Sequence, residues 1–209
     1  MKQHSPLKST PLNVAILIFD DVELLDFAGP FEVFSRTRLE PGLDSRRSSD
    51  GAPLNVFTVS KSPGTVVAVG GLQTTPTYSI GNCPSIDLLV VPGGWGTRRL
   101  LTDSDLLSWI NDVAAAGARV SSVCTGSLLL AKAGLLRHKR ATTHWGALDT
   151  LAAIDPTISI NREDRFVDDG IVTSAGISAG IDMAFHLVEV LFGPAVARDT
   201  ARYMDYRRP

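Results

Sequence analysis

Cys124 is the residue of this chain best placed for nucleophilic chemistry. It follows the strand-like run Val120–Val123 and precedes the small residues Thr125 and Gly126. This strand–cysteine–helix order is typical of an elbow, a strained turn that exposes a reactive side chain at the top of a sheet. A helix start favours negative charge, so we expect Cys124 to be a thiolate near neutral pH. An inert buried cysteine, packed as a small hydrophobic residue, is the alternative.

Asp26 is the candidate acid for the same site. It stands among apolar residues in the segment Leu24–Pro30, shortly after the first apolar run of the chain. Burial against Leu25 and Phe27 would raise the pKa of its carboxyl and keep a proton available for transfer. A helix cap is the commoner role for an aspartate at such a position. The spacing alone leaves both roles open.

The segment Pro92–Gly96 offers backbone donors to an anion. Gly93 and Gly94 follow a buried run, and such a pair can present N–H groups to an oxyanion, although a plain flexible turn is the alternative. The segment matches neither a P-loop nor a dinucleotide-binding fingerprint. We expect the N–H groups near Gly94 and Thr125 to stabilise negative charge, and Gly93 and Trp95 to line the substrate pocket.

His144 is a possible assisting residue. It begins a predicted helix soon after the Cys124 helix, so the fold could return it to the same site, but a lone histidine is more often structural. Cys83 lies in a predicted loop without a Cys or His pair at ligand spacing. No metal site is predicted, and the expected reaction uses neither a metal nor an organic cofactor.

Alternating strands and helices must position these residues. Short apolar runs predict strands at 13–19, 54–60, 86–91, 118–123, 157–161 and 165–174, with a hairpin at 66–75. Helical spacing predicts helices at 28–37, 104–116, 125–136, 145–154, 178–192 and 194–203, and places Pro30 in the first turn of the first. This order indicates an α/β protein with a mostly parallel sheet and helices on both faces. Ligands bind beyond the carboxyl ends of such strands.

Length and composition predict one domain. The 209 residues divide into a flexible tail at 1–11 and a single domain at 12–209. With 44% hydrophobic residues and a net charge of -2, the chain is globular, and nothing in its charge indicates a nucleic-acid partner. Its apolar runs are shorter than the ~20 residues of a membrane span, and its polar N-terminus lacks a signal peptide. Two cysteines favour the reducing cytoplasm.

The segment Arg36–Pro53 is rich in Arg, Ser, Gly and Pro. This composition predicts a solvated connection, including a solvated turn at Arg46–Arg47, and its length suggests an insertion. We expect it to reshape either an entrance to the site or a dimer edge.

Four segments, in order, resemble the DJ-1/PfpI superfamily. They are NVAILIFDDVELLDFAGPFEVF, DLLVVPGG, SSVCTGSLLLAKAGLLRHKRATTHW and DDGIVTSAGISAGID. The resemblance covers about residues 13–206 and implies a flavodoxin-like, class I glutamine-amidotransferase-like fold. Within the superfamily the chain looks most similar to isonitrile hydratases and to the amidase-like domains of AraC-type regulators.

The resemblance also implies roles for the candidate residues. It makes Cys124 the nucleophile, Asp26 the catalytic acid where DJ-1-like members have Glu, and Thr125 an assisting hydroxyl. His144 falls where other branches keep a histidine near the cysteine. A homodimer acting on a small-molecule substrate is expected, because members of the superfamily are commonly dimers.

The implied activity is hydration of a small isonitrile to an N-substituted formamide, with Cys124 as nucleophile and Asp26 as general acid/base. The alternatives are a ligand- or redox-sensing domain and a glyoxalase- or amidase-like cysteine enzyme. No His-x-Glu motif follows near the C-terminus, which disfavours glutamine amide transfer. The single helix predicted after Phe192 leaves no room for the DNA-binding domain of the regulators.

Overall fold

The computed structural model describes residues 10–208, so the predicted tail at 1–11 lies outside the described residues except for its last two. The strands are β1 Leu12–Leu17, β2 Leu54–Ser60, β3 Val66–Val67, β4 Gln73–Thr74, β5 Tyr78–Ser79, β6 Leu88–Val91, β7 Arg119–Val123, β8 Arg140–Ala141, β9 Ser159–Ile160, β10 Phe166–Asp168 and β11 Val172–Ser174. The helices are α1 Leu24–Arg36, α2 Thr97–Leu100, α3 Ser104–Ala115, α4 Gly126–Lys132, α5 Leu148–Ile154, α6 Ala179–Phe192 and α7 Pro194–Tyr203. Within residues 10–208, no helix has the length and apolar character needed to cross a membrane.

One seven-stranded sheet forms the middle layer. Its order is β10-β11-β7-β6-β1-β2-β5, and every neighbouring pair is parallel except β10 with β11. Two small strand pairs, β3 with β4 and β8 with β9, lie outside this sheet. The predicted α/β fold with a mostly parallel sheet is confirmed.

The central strand β1 shows why the buried strands have continuous apolar sequences. Val14 and Ile16 face a core layer that includes α1 and α6, whereas Ala15 and Leu17 face the layer that includes α3 and α4. All four side chains are buried. A strand covered on both faces needs apolar residues at every position, so the period-two alternation of a half-exposed strand is absent.

Helix α1 begins four residues before its predicted start at Ala28. Pro30 is therefore its seventh residue, and the prediction that placed this proline in the first turn is wrong. Asp26 lies inside the first turn, and the N-cap position belongs to Glu23, whose side chain makes no capping bond. The early start brings the Asp26 carboxyl to the loop that follows β6.

The segment Arg36–Pro53 lies at the amino end of the sheet. Helix α1 carries Asp26 in its first turn and begins near the carboxyl ends of the strands. It extends about 20 Å before this segment starts. The chain then enters β2 at Leu54, which pairs with Leu12 at the beginning of β1. The segment is thus at the opposite end of the sheet from Cys124, and the expectation that it reshapes the site entrance is wrong.

The same segment is less solvated than its composition indicates. The Arg46 side chain is 1% exposed and forms an ion pair with Asp199 of α7 at 2.8 Å. Arg38 is also buried, and its guanidinium donates to the backbone carbonyls around it. The predicted solvated turn is therefore wrong for Arg46 and right for Arg47, whose side chain is 79% exposed.

Candidate active site

Cys124 lies at a strained turn between β7 and α4. Its φ of 54° falls in a region that residues other than glycine rarely adopt. The Cys124 N–H donates to the carbonyls of Ser174 and Ala175, and the Thr143 hydroxyl donates to the Cys124 carbonyl at 2.8 Å. The predicted strand–cysteine–helix turn is confirmed, and neighbouring loops hold it from both sides.

The Asp26 carboxyl lies beside the Cys124 thiol and is completely buried. Its Oδ2 accepts a hydrogen bond from the Gly93 N–H at 2.9 Å. Its Oδ1 has no hydrogen-bond partner among residues 10–208. Because Asp26 caps no helix, the capping alternative is excluded, and the unpartnered oxygen is available to exchange a proton.

The protonation of this pair differs from the sequence-based expectation. Burial raises the pKa of Asp26 to about 7, with a further increase from the charge of Glu23. Burial, followed by the charge of Asp26, raises the pKa of Cys124 to about 12. The expected thiolate at neutral pH is therefore wrong, because desolvation and a neighbouring carboxylate outweigh the effect of the helix start. At rest Cys124 is a thiol, and Asp26 titrates near neutrality.

Two backbone N–H groups are directed toward the Cys124 sulfur and lower the pKa of the thiol. They belong to Thr125, the next residue along the chain, and to Ile177 in the loop between β11 and α6. Ile177 has a φ of 48°, which is unusual for a β-branched residue. Ile177 was not predicted as a site residue and carries no sequence signal for this role, because its backbone conformation contradicts the preference of a β-branched residue.

The Gly93–Gly94 turn fits tightly against the pair. A Cβ atom on Gly93 would lie 2.5 Å from the Thr125 nitrogen and 2.9 Å from Asp26 Oδ2, so the approach requires glycine. The Gly94 N–H donates to Thr125 Oγ1 at 3.1 Å. It is therefore already engaged, and the oxyanion role expected for this donor would require the bond to break.

The Thr125 hydroxyl is part of a small polar cluster that the sequence did not reveal. The fully buried Thr97 donates to Thr125 Oγ1 at 3.2 Å, and Arg98 Nη1 lies 3.4 Å from the same oxygen. Trp95, in the same loop, has 69% of its surface exposed, and its place in a substrate pocket stays a prediction. The cluster fixes the loop after β6 against the residue that follows Cys124.

His144 lies at the rim of the site, and its side chain is held by a hydrogen bond from the backbone. Its Nδ1 accepts a hydrogen bond from the Gly146 N–H at 3.2 Å, which caps the short 3-10 turn Trp145–Ala147. It also packs against Gly176 and contributes, with Trp145 and Ile177, to a cleft of about 480 Å³. The structure thus brings His144 to the rim of the site, and its participation in a reaction stays a prediction.

The described residues give no sign of a metal centre. Within residues 10–208, no group of three or more His, Cys, Asp or Glu side chains is arranged to hold an ion. Cys83 and Cys124 are both unpaired, and Cys83 lies in a loop away from this arrangement.

A parallel sheet with a cysteine at a strand–helix elbow and a buried carboxyl beside it defines a class of α/β proteins with a nucleophile elbow. This chain belongs to the DJ-1/PfpI family, whose sequence profile matches residues 12–190. The resemblance inferred from the four motifs is confirmed.

Individual relatives agree with this assignment. The chain is 38% identical to an isonitrile hydratase of Pseudomonas putida over 93% of its own length and 78% of the relative's. It is 28% identical to the HTH-type transcriptional regulator GbdR of Pseudomonas aeruginosa over 97% of its length, and spans 53% of that protein. A ThiJ/PfpI family protein from Pseudomonas syringae superimposes with a TM-score of 0.82 at 29% identity, covering 100% of this chain and 83% of the other.

Proposed function

We propose that this protein hydrates isonitriles to N-substituted formamides, with Cys124 as nucleophile and Asp26 as general acid/base. The observation that carries the proposal is the buried Asp26 carboxyl beside a strained Cys124, in a chain similar to an isonitrile hydratase over most of its length. A group with a pKa near the working pH is suited to both accepting and donating a proton.

The first step forms a thioimidate. The Asp26 carboxylate accepts the Cys124 proton as the sulfur attacks the terminal carbon of R–N≡C, and the same proton then passes to that carbon. The C–S bond forms, one C–N bond order is lost, and the product is R–N=CH–S–Cys. The N–H groups of Thr125 and Ile177 stabilise the sulfur while it carries negative charge.

The second step releases the product. Water attacks the thioimidate carbon, and Asp26 accepts a water proton and passes it to the nitrogen, which gives R–NH–CH(OH)–S–Cys and restores the carboxylate. Collapse breaks the C–S bond, transfers the hydroxyl proton through Asp26 to the departing sulfur, and yields R–NH–CHO and the free thiol. Atoms balance as R–NC plus H2O, and the proposed steps use only Cys124, Asp26, backbone N–H groups and water.

The alternative functions make different demands on the site. A redox sensor needs a thiolate that peroxide can oxidise, whereas burial and Asp26 keep Cys124 protonated. A glyoxalase-like enzyme would convert methylglyoxal and need not depend on Asp26. Ligand sensing remains the role suggested by the regulator relatives, and turnover distinguishes it from catalysis.

The test is formamide formation from a panel of alkyl and aryl isonitriles. We expect Cys124→Ala to abolish it, Asp26→Ala nearly to do so, and Thr125→Val to slow it less, because Thr125 Oγ1 holds a loop. Cys83→Ala is the matched control and should retain activity. The proposal is wrong if the wild-type protein makes no formamide but converts methylglyoxal, and Asp26→Asn leaves that conversion unchanged.

Unpaired cysteines and the proposed chemistry both suit a reducing cytoplasm, which we propose as the location.

A further inference from the structure

Two loops lie beside Cys124 at the carboxyl end of the sheet, because β7 lies between β6 and β11. The loop after β6 spans 92–96 and leads into α2. The loop after β11 spans 175–178 and leads into α6. Cationic side chains lie near both loops, so the partners of each cation decide which of them could bind a charged substrate.

On the β11 side, the guanidinium groups already have carboxylate partners. Arg165 pairs with the buried Asp182, and Arg162 pairs with Asp149 at 2.8 Å. On the β6 side, Arg99 pairs with Asp21 at 2.7 Å. Their charges are therefore compensated within the fold.

Arg98 differs from these three. Among residues 10–208 no carboxylate lies within ion-pair distance of its guanidinium. Its hydrogen bonds to protein all come from Nη1, which donates to the Gly94 carbonyl at 3.1 Å and lies near the hydroxyls of Thr97 and Thr125. These contacts place the uncompensated charge beside the residue that follows the nucleophile.

The orientation of Arg98 leaves a binding edge open. Its guanidinium carbon lies 4.9 Å from the centre of the Trp95 ring, so the indole occupies one face of the group. Stacking of this kind leaves the in-plane donors accessible, and Nε and Nη2 have no acceptor among the described residues. A planar guanidinium with two adjacent free donors matches the two oxygens of a carboxylate.

Resting on the hydration reaction proposed above, we infer that Arg98 selects isonitriles whose R group carries a carboxylate. The carboxylate binds the free edge of Arg98, while the exposed ring of Trp95 contacts the apolar part of the R group. Arg98 thus acts as a specificity-determining residue at a distance from the reacting carbon. A charge-assisted contact to an otherwise uncompensated cation distinguishes an acid from its ester without changing the chemistry at Cys124.

The kinetic test compares 4-isocyanobenzoate with its methyl ester. We expect the wild-type protein to prefer the acid in kcat/KM, and Arg98→Gln to reduce that preference by about 10- to 100-fold, mainly through KM. Arg99→Gln, on the same helix but paired with Asp21, is the matched control and should keep the preference. Because Arg98 also lies near Thr125, the ester measures any general loss of activity in Arg98→Gln. Equal use of acid and ester by the wild type, or an unchanged preference in Arg98→Gln, would overturn the inference.

A binding measurement separates this inference from the proposed reaction. Cys124→Ala protein is titrated by calorimetry with the product acid, 4-formamidobenzoate, and with its methyl ester. Tighter binding of the acid that disappears in the Cys124→Ala, Arg98→Gln double variant supports carboxylate recognition. If such binding is seen but no isonitrile is hydrated, the proposed function fails alone. If isonitriles are hydrated but acid and ester bind equally, the inference fails alone.

Discussion

At the scale of single residues, the proposed mechanism requires Asp26 and Cys124 to hold one proton between them. Burial sets the pKa of Asp26 to about 7 and, together with the charge of Asp26, that of Cys124 to about 12. Below pH 7 the pair carries two protons, and the carboxyl cannot accept the proton of the thiol. Above pH 7 it carries one, which is the form that the proposed mechanism uses.

The pH dependence of activity follows from this pair. We expect kcat/KM to rise with pH through an apparent pKa of about 7 and to show no falling limb until conditions approach the ionisation of the thiol. The rate is measured with a neutral isonitrile from pH 5 to 9, and the ultraviolet absorbance of thiolate is followed in parallel. A thiolate signal lost on acidification near pH 5 would contradict the assignment.

Asp26 also makes stability depend on pH. Its pKa is raised from 3.8 to about 7 in the folded state, so the folded protein binds this proton more tightly than the unfolded chain does. The associated stabilisation is present below about pH 4 and is lost as pH rises toward 7, by about 4 kcal/mol in total. The free energy of unfolding of Asp26→Asn should therefore increase relative to wild type over this range in denaturant titrations.

Asp103→Asn is a control of opposite sign for that measurement. Asp103 caps α3 and bonds to Lys61, and its pKa is lowered. The stabilisation from Asp103 is present above the unfolded-state pKa of about 4 and is lost at lower pH, so this variant should lose stability relative to wild type as pH rises from about 2 to 5 and should then stay level up to pH 7. If both variants show the same pH trend, the burial of Asp26 does not control the effect.

At the scale of elements, strand β7 contains two neighbouring serines that differ in hydrogen bonding. Both are completely buried, but Ser121 donates to the Leu89 carbonyl at 3.2 Å, whereas Ser122 Oγ has no partner among the described residues. Ser121→Ala should lower the free energy of unfolding by about 1 kcal/mol, and Ser122→Ala should leave it equal or higher. Denaturant unfolding of the two variants checks this, and a larger loss in Ser122→Ala would show that its hydroxyl is satisfied.

The segment Arg36–Pro53 is held to α7 by one buried cation. Arg46→Met removes the ion pair with Asp199 and the hydrogen bonds to the carbonyls of Arg36 and Gly42, and should lower the free energy of unfolding by about 2 to 3 kcal/mol. Arg47→Met changes an exposed residue and should cost less than about 1 kcal/mol. Activity per folded molecule should be equal in both variants, since this segment lies at the opposite end of the sheet from Cys124. A selective loss of activity in Arg46→Met would mean that the two ends are coupled.

Sequence patterns predicted elements well where local preference and burial agree. The bounds of β2 and α7 are those expected, because β2 is a continuous β-prone run and α7 begins with Pro194. The strands β5 and β8 and the helix α2 were not predicted, because elements of two to four residues depend on tertiary contacts rather than on periodicity. The start of α1 was missed because Pro30 was read as a start signal.

The site was predicted in outline and missed in its electrostatics. Cys124, Asp26, Thr125 and the Gly93–Gly94 turn were placed together correctly. The protonation state of Cys124 was predicted wrongly, because the pKa of its thiol depends on burial and on Asp26, which lies far away along the chain. The burial of Arg46 was missed for the same reason, since its partner Asp199 belongs to the last helix.

At the scale of the whole molecule, assembly is the main open prediction. We expect a homodimer with α1 near the contact, although Phe27 and Phe34 are buried in the core and cannot supply the interface. Leu25, 37% exposed and one residue from Asp26, is the apolar side chain of α1 available for contact. Light scattering should give twice the chain mass at micromolar concentration, and Leu25→Lys should reduce it. Leu43→Lys, on the remote segment, is the control, and a wild-type monomer would contradict the prediction.

The distance between the two ends of the sheet also determines where the protein could be attached to a surface. The exposed turn at 48–51 lies on the segment at the end of the sheet opposite Cys124. A tether, tag or fused domain attached there would leave diffusion of small molecules to the thiol unobstructed. This turn is consequently the attachment point at which the protein could be fixed to a solid support with its reactive end facing the solution.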